Sequence, residues 1–291
     1  MNEEEDPPLH RLHRLLLHSS ESEEWIAEFI KARGLAGLFD VHENLFWRLY
    51  YNDSKGGKRV EERTTDDAET FLACTACFLP IFSSQAGINA VAKGNRSEVQ
   101  EQVEQLMLSL ASKEQEAREK ALWAVIKIVG TISPTDQRSR ARLTEMAHTL
   151  WDGLGSLQIL LEEKNIYAPL VNLVREARGP RALALVGHVL ALITLALDGL
   201  YPEIVSYEHI YSRNKLRNGF FSAGLTLAME KQALQSQASA DSDALAIYAA
   251  ALKKWNYGKA RDEKYSVALS RQKPKSAISS GDLNTLLRIG A

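Results

Sequence analysis

Residues 25–40 read WIAEFIKARGLAGLFD, and this stretch decides how the rest of the chain is read. Trp25, Ile26, Phe29 and Ile30 recur at the three-and-four spacing of an apolar helix face. Ser20 to Glu24 ahead of them supplies N-cap candidates and first-turn acids. Gly34 is expected to take the left-handed conformation that stops the helix. Leu35, Leu38, Phe39 and Val41 then restart an apolar stripe. Helix, glycine stop and second amphipathic helix make the corner of an α-solenoid, where the second helix packs back on the first. Such a corner suits a binding scaffold and carries no reactive group.

The totals agree with a folded helical chain. Its 291 residues can bury a large core, and an apolar fraction of 45% with 25% charged residues is that of a soluble protein. A formal net charge of −2 argues against broad binding to nucleic acid, which wants a basic excess. Two cysteines, Cys74 and Cys77, build no disulfide framework and fit a reducing, cytoplasmic setting. The acidic start, MNEEEDPP, does not read as a signal peptide. Ala182 to Leu197 is apolar enough to suggest a membrane span. It is shorter than the roughly 20 residues a bilayer needs and carries His188, so it is expected to be a central buried helix.

Along the chain, Pro8 opens a first helix with Leu9, Leu12, Leu15 and Leu16 on one side and His10, Arg11, His13 and Arg14 on the other. Residues 38–50 continue as helix, and 52–64 form a polar loop. Asp66 and Glu69 make a capping-box pattern ahead of the face formed by Phe71, Leu72, Thr75 and Phe78. Ser83 or Ser84 caps a short helix. Helices are expected over 98–110, 114–132 and 138–154, with a short connector over 157–161. Others follow over 168–178, 182–197, 202–209, 213–221 and 225–237, and the last over 243–257. No strand-like alternation is present. Pairs of helices at a spacing near ~40 residues favour an all-α, armadillo-like right-handed α-solenoid.

Three segments carry a family likeness. The first is Leu9 to Leu16 followed by Trp25-Ile26, Phe29, Gly34-Leu35, Leu38 and Asp40. The second is Phe71 to Ile88, ending FSSQAGI. The third is Val186-Gly187 through Leu195, then Leu216-Arg217-Asn218, Phe220 and Gly224-Leu225. In this order they resemble the N-terminal regulatory region of diaphanous-type formins, its GTPase-binding segment and the armadillo-like formin-homology-3 segment. The resemblance implies a helical stack that binds a GTP-bound Rho-family small GTPase near its N-terminal corner. It also implies a concave face holding a formin-type autoinhibitory helix or other actin regulators, and so control of actin assembly. The expected GTPase interface is Arg11, Arg14, Trp47, Tyr50, Ser83, Ser84 and Asn89. Ser83-Ser84 stands where several formins carry an asparagine pair. The expected groove residues are Leu190, Ile193, Thr194 and Leu197, around an Ile193-Thr194-Leu195 that replaces the family's Asn-Ala-Leu.

On this reading residues 1–95 are the GTPase-binding segment and 96–239 the armadillo-like segment. Residues 240–258 are a terminal helix and 259–291 a basic, flexible tail. No proline-rich or actin-nucleating segment follows, so actin assembly is expected to need a longer chain or a partner. The alternative is a generic armadillo-like adaptor that holds an extended peptide in its groove without nucleotide dependence. Homodimerisation is compatible with either.

No enzyme is expected. Cys74 and Cys77 sit inside a helical pattern without the four ligands structural zinc needs, and no phosphate loop or hydrolase spacing occurs. Neither metal nor cofactor is called for. His10, His13 and His18 read as a solvated face, with charge steering toward an acidic partner as the functional alternative. Phe46, Trp47, Tyr50 and Tyr51 cannot all face inward, so an exposed aromatic beside charge is expected, as at interface hot spots. Lys253 to Lys275 is basic, which limits membrane contact to the periphery. Leu283, Leu286, Leu287 and Ile289 are faintly similar to a formin autoinhibitory helix.

Overall fold

The computed structural model describes residues 8–18, 22–50, 65–132, 136–202, 206–236 and 240–272. Its α-helices, in chain order, begin with α1 (Pro8–His18), α2 (Ser22–Lys31), α3 (Gly34–Tyr50) and α4 (Thr65–Ser83). Next come α5 (Gln85–Lys93), α6 (Arg96–Leu108), α7 (Gln115–Gly130), α8 (Gln137–Leu160) and α9 (Ala168–Glu176). The last four are α10 (Ala182–Leu200), α11 (Tyr207–Ser222), α12 (Leu225–Ser236) and α13 (Ser242–Gln272). Among the described residues there is no strand, and the fold is all-α.

The apolar run at 182 becomes α10, buried at nearly every position, including Leu185, Val186, Val189 and Leu190. It is long and apolar enough to cross a membrane, but 78% of it is buried against other helices. Those helices are α7, α8, α9 and, most extensively, α13. Where α13 crosses, a Cβ on Gly187 would lie 3.0 Å from the Tyr248 backbone, so glycine lets the two helices touch. The packing repeats at a stride of three: α4 lies on α7, α7 on α10 and α10 on α13.

Local chemistry explains the corners. Arg33, not Gly34, carries the positive φ (62°) that ends α2, which corrects the expected left-handed glycine. Gly34 starts α3, and what demands glycine there is space: a Cβ would fall 2.3 Å from the Phe29 ring. Between α4 and α5 the chain bends by 87°. Ser84 caps the new helix by accepting from the Gly87 N–H (2.9 Å) and donates to the Ile81 carbonyl (2.7 Å). A Cβ on Gly87 would meet that carbonyl oxygen at 1.9 Å.

Three expected boundaries move. The connector over 157–161 does not exist, because α8 runs unbroken to Leu160. The terminal helix does not end at 257 either: α13 extends to Gln272, so residues 259–272 are helix and not tail. The start expected at 202 becomes Tyr207. The polar loop over 52–64 and the leucines at 283–289 lie outside the described residues.

The extension of α13 has an electrostatic cause. Asp262 is fully buried and receives Arg213 Nε (2.9 Å), Arg213 Nη2 (2.8 Å) and Arg217 Nη1 (2.6 Å) from α11. Arg213 also donates to the Tyr201 carbonyl, and Arg217 lies 5.7 Å above the Trp255 ring. Burial alone would raise the Asp262 pKa, but the two guanidiniums outweigh it and hold the carboxyl below its usual range. Arg261 adds a bond to Asp198 on α10 (3.2 Å). These contacts tie the second half of α13 to α10 and α11.

Removing one partner of such a buried group strands the other charges, which costs about 3–5 kcal/mol. Asp262→Ala is therefore expected to lower the urea-unfolding free energy by about that much, and truncation after Gly258 by at least as much. A truncated chain as stable as the full one would show that residues 259–272 are the loose tail first expected.

Candidate functional site

The expected GTPase-interface residues lie on the first five helices and their caps, and the structure divides them between separate faces. On α1, Leu12 and Leu16 point inward, while Leu15 (53% exposed), expected among the inward leucines, instead shares the outward face of Arg11 and Arg14, a correction to the expected apolar side. Leu17 is also exposed at 55%.

α4 packs on α1 and also on α3. The Arg48–Asp67 ion pair (2.9 Å) joins the end of α3 to the start of α4, and Cys74 Sγ donates to the Leu38 carbonyl (3.6 Å), so the two helices are antiparallel. Trp47 therefore sits near one end of the pair and Ser83 near the other, about 22 Å apart along the axis at the helical rise. Trp47 is 36% exposed and donates from Nε1 to Glu43 (3.2 Å), whereas Phe46 is buried. Ser83 and Asn89 are exposed, and Asn89 accepts a 3.4 Å bond from Gln85 Nε2. Ser84 is buried and spent on the α5 cap, which removes it from any interface. The Tyr50 backbone ends α3, and its side chain lies outside the described residues.

The expected groove residues are corrected outright. Leu190, Ile193, Thr194 and Leu197 are at most 4% exposed, and the Thr194 hydroxyl donates to the Leu190 carbonyl (2.8 Å) within its own helix. They are core, because the sides of α10 that carry them are covered by its neighbours, while Ala191, Leu195 and Asp198 form a part-exposed stripe.

One groove was missed in the sequence. Between α3 and α6, Phe39, Phe46, Trp47 and Leu108 floor a cleft of about 370 Å³, and Asp40, Glu43, Glu98, Glu101 and Glu104 rim it. Burial, with Asp152 and Glu101 nearby, raises the Glu104 pKa. The signal was available: Glu98, Glu101 and Glu104 recur every three residues, as do Asp40 and Glu43. The cleft is negative, so an acidic partner is repelled here and drawn instead to Arg11 and Arg14.

Beneath the cleft, His42 is buried, stacked on Phe71 (4.8 Å), with Gln105 Nε2 3.4 Å from Nδ1 and Ser109 Oγ 3.3 Å from Nε2. Burial pushes its pKa down to about 3. His188, stacked on Trp123, is pushed down to about 4 by burial and by the charge of Arg181. The thiols diverge: Cys74 faces the Leu38 carbonyl and Cys77 the Leu9 carbonyl (3.8 Å). Burial raises both, Cys77 to about 12. Such thiols are poor nucleophiles and poor ligands at neutral pH. Among the described residues, no three His, Cys, Asp or Glu side chains converge as metal ligands.

No protein-family model, curated protein or solved structure matches this chain.

The buried histidines set a pH dependence. Between pH 3 and 6.5 the unfolded chain binds a proton at His42 that the folded chain does not, so stability falls as pH falls through that window. From neutral pH to pH 5 the loss from His42 is about 2 kcal/mol. Urea melts at pH 7.5 and 5 are expected to show this extra loss in the wild type and not in His42→Gln. Equal losses in the two proteins would contradict a buried, neutral His42.

Proposed function

We propose that this chain is a non-enzymatic binding scaffold, an armadillo-like right-handed α-solenoid of the diaphanous-formin regulatory type, whose partner is a GTP-bound Rho-family small GTPase. The observation that carries the reading is the α1 face, where Arg11 and Arg14 flank exposed Leu15 beside the 25–40 corner. Cations give long-range attraction to an acidic switch surface, and the leucine gives apolar area to bury on contact. Ser83 and Asn89 widen the surface to a span that a folded protein covers and a small molecule does not, while Trp47 floors the acidic cleft and stands apart from it. The stride of three in the helix packing supports the solenoid, because an armadillo repeat stacks each helix on its counterpart in the next unit. Through this contact the chain would act in the cytoplasm on actin assembly, by autoinhibition or by recruiting actin regulators.

Burial of Leu190, Ile193, Thr194 and Leu197 counts against the peptide-groove adaptor and equally against an autoinhibitory helix docked on that face, since both were to use those residues.

The test is a pull-down of GTP-loaded and GDP-loaded members of each Rho subfamily. At least one member is expected to be retained only with GTP. Arg11→Glu with Arg14→Glu is expected to weaken that retention by about tenfold. Equal retention of both nucleotide states, or none for any member, would remove the proposal.

A further inference from the structure

A second charged feature lies on another part of the molecule. The end of α5, the start of α6, the end of α7 and the first turns of α8 enclose a cleft of about 580 Å³. That volume is within the range of small-molecule sites. Its lining brings together Lys93, Arg96, Arg138 and Arg142, with Asp136 as the one acidic residue among the described lining. Glu145 holds Arg96 at 2.8 Å, so the cations remain in excess. Lys93 and Arg138 are exposed, and neither is in a salt bridge among the described residues.

The site is built at its base. Arg142 donates from both terminal nitrogens to the Ala92 and Val91 carbonyls at the end of α5, which fixes the guanidinium in place. Its Nε is buried without a partner. Burial first, and then the neighbouring charge of Arg96, disfavour its cationic form, with Glu145 partly compensating. Like charges held together this way are relieved by an anion.

The other lining groups narrow the ligand. Asp136 already caps α8, receiving the Ser139 N–H at 2.7 Å, so the helix amides are occupied. Ser139 Oγ donates to Asp136, and Thr131 Oγ1 donates to the Ile128 carbonyl (2.8 Å), so neither hydroxyl is free to donate elsewhere. No aromatic ring lines the cleft, which leaves nothing to stack a nucleobase. What remains is recognition of several negative charges by several cations.

We propose that this cleft binds a small, multiply phosphorylated anion of the inositol-phosphate type, held by Lys93, Arg96, Arg138 and Arg142. The chemistry is the same for a free inositol phosphate and for a phosphoinositide headgroup. It is independent of the α1 face, so it stands whether or not a GTPase binds there.

The full chain is titrated with inositol trisphosphate, with inorganic phosphate, and with phosphatidylcholine vesicles containing phosphatidylinositol bisphosphate, each at low and high salt. Saturable binding of the trisphosphate is expected, tighter than that of inorganic phosphate and fading as salt screens it. Vesicle binding in addition assigns the ligand to a lipid, and binding of the soluble anion alone assigns it to a free inositol phosphate. Lys93→Glu with Arg138→Glu is expected to weaken binding by about tenfold or more. Lys253→Glu with Lys254→Glu on α13 is expected to leave it unchanged. Should the charge-reversed protein fail to fold, Lys93→Gln with Arg138→Gln gives the same readout with a smaller change. Absence of saturable binding to either phosphorylated probe would overturn the site, as would binding that survives the cleft variants or is lost with the α13 pair.

Discussion

Because α10 is apolar around its whole circumference, it has to be enclosed. An uncovered side of Leu183, Val186, Leu190 or Leu197 would face water at roughly 25 cal/mol per Å² of apolar surface. α7, α8, α9 and α13 supply the enclosure. Gly187 thins α10 where α13 crosses, and Gly199 does the same against α8, where a Cβ would meet Ala147 at 2.7 Å. The polar ties lie beyond this sleeve. Asp262 pins α13 to α11, and Arg181 joins the α10 start to Glu119 on α7 (2.6 Å) and Asp243 on α13 (2.9 Å).

That enclosure constrains function. A helix that would have lined a receptive groove is already occupied by the chain itself, so recognition is left to the exterior. The exterior is sorted by charge. Arg11 and Arg14 mark one face, five carboxylates rim the α3–α6 cleft, and four cations gather between α5, α6 and α8. These patches coexist in a chain whose net charge is only −2. A charged partner of the kind proposed would therefore be steered to a place on the molecule and not merely to the molecule.

Much of the helical layout could be read from the sequence, and the misreadings share a cause. Periodicity located α2, α4, α7 and α10, and of the two cap candidates the sequence offered, Ser83 and Ser84, the structure uses Ser84. Two helices were expected to stop short, at 154 and at 257. Each continues through a glycine that serves a contact: a Cβ on Gly153 would press to 3.0 Å on Met107 of α6, and one on Gly258 would lie 3.3 Å from Arg217 Nη2. In each case the glycine serves a contact with a residue far along the chain, which local pattern cannot show. Asp262 was hidden for the same reason, since its partners are 45 and 49 residues away. The sequence reading gave Arg213 and Arg217 no buried role, and the structure shows that carboxylate bound by both. Exposure at Arg11 and Arg14 was legible, because the leucines opposite them fixed which side of α1 faces the core.

Hydrogen exchange on the full chain, alone and with a GTP-loaded Rho-family GTPase, tests most directly whether recognition has moved from the enclosed helix to the outer faces. The account predicts that α10 and residues 259–272 exchange slowly in both samples and that partner-induced slowing is confined to α1 and the neighbouring ends of α3 and α5. Slowing centred on residues 190–197, or fast exchange over 259–272 in the free chain, would contradict it.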